Sequence, residues 1–217
     1  MSADDKTALA AHAGAAGAAQ AHYAGGVVDD VMVVGVGGQG VIMAAAIIAD
    51  TAMLGGLDVK LSETRGMSQR GGSVSSHIRI GETVVAPSIS PGEVDYLLAF
   101  ESAEGLRLAP SLVPGGVAIV NLQQIVPPLA SQGEFAYPFD AVARMDDGSR
   151  RVIALDGNAI ALEVGDLKVA GIVLVGALST HLPFAIGTWQ EAIVRNVPPK
   201  WKELNFAAFA AGRKVGA

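Results

Sequence analysis

The chain has 217 residues, enough for one well-buried core, and 51% are apolar but only 5% aromatic, so that core is built of Ala, Val, Leu and Ile. A formal charge of −6, from 15 basic and 21 acidic side chains, argues against general binding to nucleic acid or to an anionic membrane. The sequence contains no cysteine, which excludes disulfides, thiolate nucleophiles and cysteine-ligated zinc or iron–sulfur centres within it, and its four scattered histidines offer no metal-ligand pattern.

Residues 1–27 read as an Ala/Gly-rich tail outside the fold, with ten alanines between Ala8 and Ala24 and little that would form a core. The basic start and Leu/Val-rich block of a secretory signal are missing, and the lack of cysteine fits a cytoplasmic protein. Residues 28–217 are then a single domain. Val31–Val36 is an apolar, mostly β-branched strand of the kind buried on both faces of a parallel sheet. It runs into GVGGQG, where Gly35, Gly37 and Gly40 fall on the G-x-G-x-x-G spacing and Gly38 is extra. Such glycines turn the chain out of a strand, admit a pyrophosphate to the backbone, and let the next helix pack closely. That helix, Gly40–Leu54, carries small residues toward the sheet and aims its free N–H groups at the turn, an arrangement suited to an anion.

Leu57–Glu63 is the next strand, completing a strand–helix–strand unit of about 33 residues. Glu63 at its end is a candidate for a ribose hydroxyl, or simply a surface carboxylate. Thr64–Gly72, TRGMSQRGG, is unlike ordinary connecting loop: Arg65 and Arg70 can present planar forks to phosphate or carboxylate, alongside Ser68 and Gly71. Within it, Gly66-Met67-Ser68-Gln69-Arg70 misses the nucleophile elbow at its last glycine, so a serine hydrolase is not supported.

Ser73–Ile80 alternates, and a turn at Gly81-Glu82 followed by Thr83–Ile89 predicts a β-hairpin standing off the sheet as an arm, with His77 as a structural or interface residue. Val94–Phe100 and Gly116–Asn121 are further strands, with Glu101 and a short helix to about Ala109 between them. Gln123–Gly148 is irregular apart from a short helix near Phe139–Ala143. Arg151–Leu155 returns to strand, and Asp156 caps a helix to about Val164. Leu167–His181 is a buried helix, since its continuous apolar run stops by Leu178, too soon to span a bilayer. Thr188–Asn196 and a terminal segment from Lys200 are helical, the last docking by Trp201, Leu204 and Ala208, with Phe209 beside them. The expected architecture is α/β, a Rossmann-like three-layer fold with a mostly parallel sheet, an inserted β-hairpin arm and a helical C-terminal part.

Several segments together, GVGGQG, SETRGMSQRGGSVSSHIRIG, VDYLLAFE, GGVAIVN and the closing LPF…W…AI…VPPK…ELN…AF…G, resemble the small gamma-type subunit of 2-oxoacid:acceptor oxidoreductases. Among these the pattern is most similar to the beta subunit of the indolepyruvate:ferredoxin enzymes, over roughly Asp30 to Gly212. Three features depart from that pattern: Gly171 stands where the family leads one to expect Asn, the alanine tail is foreign to it, and the irregular Gln123–Gly148 stretch matches it poorly in places. The resemblance implies oxidative decarboxylation of an aryl 2-oxoacid with coenzyme A, giving an acyl-CoA, CO2 and reduced ferredoxin. It places thiamine diphosphate, magnesium and the iron–sulfur clusters on a large partner subunit. The residues agree with that division, for Gly165-Asp166-Leu167 breaks the GDG thiamine motif and no cysteine is available for a cluster.

The candidate binding residues are therefore Gly35, Gly37, Gly38, Gln39, Gly40, Glu63, Arg65, Ser68, Arg70 and Gly71, with no catalytic residue and no metal site. Gly37, Gly38 and Gln39 would line a pyrophosphate-sized anion site suited to coenzyme A. Arg65 and Arg70, with Glu63 and Ser68, would line the edge facing the partner's active site. A purely structural role for the glycine turn stays open, as do a free-standing NAD(P)-dependent reductase and a non-catalytic coenzyme A or nucleotide-binding regulatory module.

Overall fold

The computed structural model describes residues 19–66 and 72–216. Six strands, β1 (Val28–Val36), β2 (Asp58–Arg65), β3 (Ser73–Gly81), β4 (Val94–Ala99), β5 (Leu112–Asn121) and β6 (Arg151–Leu155), form one sheet in the order β2-β3-β1-β4-β5-β6. β1, β4, β5 and β6 pair in parallel, while β3 runs antiparallel to both β1 and β2. The three-layer α/β reading with a mostly parallel sheet is borne out.

Alternation along β1 decides which helices each face receives. Val31 and Val33 belong to a core shared with α1 (Val41–Leu54), α5 (Gly157–Val164), α6 (Ala170–Leu178), α7 (Ile186–Asn196) and α8 (Lys202–Gly216). Met32 and Val34 point the other way, into a smaller core with Leu97, Ala99 and Met145 beneath α2 (Ser102–Leu108) and α4 (Ala141–Met145). A one-turn helix, α3 (Pro128–Ser131), lies in the long connection after β5. Strand Arg151–Leu155 and the helix that follows it were legible as drawn, and the Asp156 carboxylate accepts the Ala159 N–H at 2.9 Å. Every residue of α6 but Ala170 is buried, and no helix among the described residues is long and apolar enough to cross a membrane.

Three expectations are corrected. The hairpin is β2–β3 and lies within the sheet, not off it: Val74, Ile78 and Ile80 turn into the larger core. With β1 on one edge of β3 and β2 on the other, no edge is free for residues 83–89. The tail boundary at residue 27 falls too late, because residues 19–23 are helical and Ala19 and Tyr23 are fully buried; residues 1–18 lie outside the described part. The docking face of α8 is Asn205, Ala208, Phe209, Gly212 and Gly216, whereas Trp201 is partly exposed in a 3-10 turn before it. That face works because α6 and α8 touch through their backbones: a Cβ on Gly212 would overlap the Val173 carbonyl oxygen.

At the N-terminal end of the parallel strands sits a buried polar cluster. The Tyr23 hydroxyl donates to Asp29 at 2.6 Å, Arg79 Nε donates to Asp30 at 2.8 Å, and Asp95 accepts the Asp30 backbone N–H at 2.8 Å. Burial pushes the Asp30 carboxyl above its usual range in spite of Arg79. Burial, with the nearby Asp29 and Asp30 charges, raises Asp95 as well.

Replacing Gly212 by Ala is expected to lower stability by about 2 kcal/mol or more, because two helix backbones must separate to admit the methyl, and urea unfolding measures it. Asp95 gives a pH-dependent counterpart. Its raised folded-state pKa means that its favourable contribution is present at low pH and is lost as pH rises through that value. Asp95→Asn keeps an acceptor for the Asp30 N–H and removes the charge. Its urea midpoint should exceed the parent's at pH 7.5, and the gap should close toward pH 4.

Candidate functional site

The glycine turn joins β1 to α1 at the C-terminal end of the parallel strands, beside the switch point where the chain leaves β1 for one side of the sheet and β4 continues it on the other. Gly38 and Gly40 have φ of +101° and +91°, a backbone region that side chains disfavour. A Cβ on Gly35 would meet Gln39 Oε1, Phe100 Cβ and Val41 Cγ2 at 2.7, 2.8 and 2.9 Å. Space and backbone angle both demand glycine here.

Gln39 is the pin of the turn. Its Oε1 accepts the Val36 N–H at 2.7 Å, and its Nε2 donates to the Phe100 carbonyl at 3.0 Å and to Gln123 Oε1 at 2.8 Å. Its backbone N–H donates to Val36 O at 3.2 Å, and the Gly37 N–H donates to Gly72 O at 2.9 Å. Gln39 and Gly37 therefore hold the protein together with the groups expected to hold an anion, and no side chain caps the first turn of α1.

Cavities open on both sides of the turn. One, of about 540 Å³, is lined by Gln39, Phe100, Asn121, Gln123, Asn158 and Lys168. The other is lined by Gly37, Gly38, Val41, Arg65 and Gly66. The structure thus brings Arg65 to the glycine turn. Ser68, Arg70 and Gly71 lie outside the described residues, but the stems of their loop are fastened: Gly66 N–H donates to Ser73 O at 2.8 Å, and Ser73 Oγ donates to Glu104 at 2.6 Å. Glu63 instead pairs with Arg65 at 3.0 Å. With β3 interposed, β2 stands two strand spacings, about 10 Å, from β1, twice the separation in an ordinary dinucleotide-binding βαβ unit.

The residues that reading by motif missed are the amides. Asn121 ends β5, accepts the Gly157 N–H at 3.0 Å and faces Asn158 at 3.3 Å. A polar residue closing a buried parallel strand is the signal that points to it. Gly171 also finds its reason, since a Cβ there would lie 2.8 Å from Phe100 Cε1, so the ring fills the space that an Asn would need. Beside the cavity, the buried Glu101 carboxylate caps α2 through the Glu104 N–H, accepts the Ile125 N–H at 3.2 Å and receives the Tyr137 hydroxyl. Burial, reinforced by that carboxylate, pushes the Tyr137 hydroxyl up to about 12.

Among the described residues no group of three His, Asp or Glu side chains is placed to hold a metal. His77 is structural, accepting the Ile89 N–H at 3.3 Å, and burial lowers its pKa. The site can bind and position. Gln39→Ala, which strands the Val36 N–H and the Phe100 carbonyl, is expected to cost about 2–3 kcal/mol in urea unfolding.

A family profile described as pyruvate ferredoxin/flavodoxin oxidoreductase matches residues 30–215. The indolepyruvate oxidoreductase subunit IorB of Archaeoglobus fulgidus is 39% identical over 187 residues, 84% of this chain and 92% of that protein. The crystal structure of the keto/oxoacid ferredoxin oxidoreductase gamma subunit from Geobacter sulfurreducens superposes with a TM-score of 0.68 at 26% identity, covering 87% of this chain and 98% of that one. A 2-oxoglutarate:ferredoxin oxidoreductase from Magnetococcus marinus shares the fold at a TM-score of 0.69 and 19% identity, over 87% of this chain and 31% of that longer one. With the profile spanning the sheet and every helix from α1 to α8, the chain belongs to the pyruvate ferredoxin/flavodoxin oxidoreductase family.

Proposed function

We propose that the chain is the small subunit of a 2-oxoacid:ferredoxin oxidoreductase acting on indolepyruvate or a related aryl pyruvate. The observation that carries this reading is the identity to an indolepyruvate oxidoreductase subunit along 92% of that subunit's length. The overall reaction takes the oxoacid and coenzyme A to an arylacetyl-CoA and CO2, with an electron pair passing to ferredoxin. Thiamine diphosphate, magnesium and the iron–sulfur clusters belong to a large partner subunit, and the ferredoxin-coupled assembly works in the cytoplasm. A cavity lined by several amides, in a sequence with no cysteine, supports that division of labour.

Within the complex this chain contributes a coenzyme A contact. Phosphate oxygens of the cofactor would lie over the first turn of α1, on the side where Arg65 and Gly66 line the cavity. Arg70, Ser68 and Gly71 would extend that edge toward the partner's active site. The Magnetococcus protein that shares the fold was solved with coenzyme A and succinyl-CoA bound, which gives the ligand class a precedent. A free-standing NAD(P) reductase fits less well, because the interposed β3 carries Glu63 away from the turn.

The test is co-expression with the large chain encoded beside it, followed by indolepyruvate- and coenzyme A-dependent reduction of ferredoxin. Activity that requires both chains is the expected result. Tight NAD(H) binding by the small chain alone, with no large partner, would overturn it. In the complex, Arg65→Ala and Arg70→Ala should each raise the KM for coenzyme A about tenfold with little change in kcat. Unchanged coenzyme A kinetics in both would remove the cofactor contact while leaving the subunit assignment standing.

A further inference from the structure

The connection after β5 presents a rigid apolar face that the site does not use. Residues 122–139 carry one charged side chain, Glu134, and turn Leu122, Val126, Leu129, Phe135 and Phe139 outward, all exposed. Phe139 is 66% exposed, and with rings of about 200 Å² the two phenylalanines alone leave on the order of 200 Å² in water. Single exposed apolar residues need no explanation, whereas five in one short segment do.

The segment is fastened from below. Leu122 N–H donates to Leu155 O at 2.9 Å, and Ser102 N–H donates to Gln123 O at 3.0 Å. The Glu101 carboxylate receives both the Ile125 N–H and the Tyr137 hydroxyl, while Gln124 Nε2 donates to Phe139 O at 3.1 Å and ties the two ends together. Residues 122–125 and Tyr137 are thus tied to the body of the fold, so part of the ordering entropy of the segment is already lost before anything covers it.

Resting on the subunit reading above, we propose that this face is where the large cofactor-bearing subunit docks. Two observations select that occupant. Electron-transfer partners meet on small, charged faces, and this segment offers no cation to an acidic redox protein, whereas permanent subunit contacts are apolar. Gln123 belongs to the segment, lines the 540 Å³ cavity and accepts from Gln39, so the chain that covers the face stands beside the glycine turn, across it from the proposed coenzyme A contact. The face therefore sets the register between the two halves of the active site.

The full chain carrying Phe135→Glu and Phe139→Glu together, co-expressed with the large chain, should lose at least a hundredfold in affinity for it, while the isolated variant keeps the parent's thermal midpoint. Val85→Glu, 95% exposed beyond β3 at the opposite end of the sheet, should leave the complex intact. In the parent complex, amide hydrogen exchange over residues 122–139 should slow relative to the free chain. Unslowed exchange there, or a double variant that still co-elutes, overturns the proposal. So does an intact variant complex that fails only to reduce ferredoxin, or a parent homodimer that the variant dissolves. A parent chain that binds no large chain at all overturns the subunit reading itself and this face with it.

Discussion

The structure depends on a single side-chain amide. Gln39 reaches back from the start of α1 to the end of β1, to the residue after β4 and to the residue two beyond β5, so three strand tips are held at one point. Each bond is modest by itself, about 1 kcal/mol net, but losing the amide strands buried partners, and that penalty exceeds any one bond. The close approach has to be permitted by its neighbours. Gly35 leaves room for the amide oxygen, and Gly171 leaves room for the ring of Phe100, the residue whose backbone carbonyl accepts the amide N–H. The glycine spacing that resembles a dinucleotide fingerprint is explained here by packing before any ligand is considered.

The same constraint shapes the two cavities. Because the turn is pinned on its Gln123 side and tied to Gly72 on the other, it forms a fixed wall between an amide-lined space and an arginine-bearing one. A ligand contacting either side meets a surface whose hydrogen bonds are already made, with little reorganisation left to undergo. Such preorganisation serves positioning.

Reading along the chain recovered what is local. The strand–turn–helix at Val31–Leu54, the Arg151–Leu155 strand with its Asp156 cap, and the buried helix expected over Leu167–His181, which the structure shortens to Ala170–Leu178, are all written in short windows of periodicity and capping residues. What was lost is non-local. Ser73–Ile80 alternates correctly, yet nothing near it says that its partners are β1 and the preceding strand rather than the following segment. Tyr23 sits in an alanine run that looks like a tail, and its reasons to fold back lie elsewhere in the chain, in the Asp29 carboxylate that accepts its hydroxyl and the Phe184 ring that stacks on it. The amide row is assembled from the ends of β5 and α5 by the sheet, so Asn121 and Asn158 have no shared motif to find. On α8 the burying face follows glycines rather than large apolar residues, because the contact is backbone against backbone.

Charge is distributed unequally between the two ends of the sheet, and the inequality bears on what the chain can do. Perturbed carboxyls often mark reacting sites. Here Asp30 and Asp95 lie at the closed end, engaged with Arg79 and a backbone N–H, while the end with the cavities is faced mainly by neutral amides. A raised pKa at the closed end reports burial without access. At the open end, Lys168 and Arg65 can attract an anion, but neither is partnered by a group that would exchange a proton with it during a reaction: Arg65 pairs with Glu63 at the surface, and Asp166 accepts the backbone N–H of Lys168. The chain offers a pinned turn between two cavities, an uncapped helix end beside it and, after β5, a run of exposed apolar side chains.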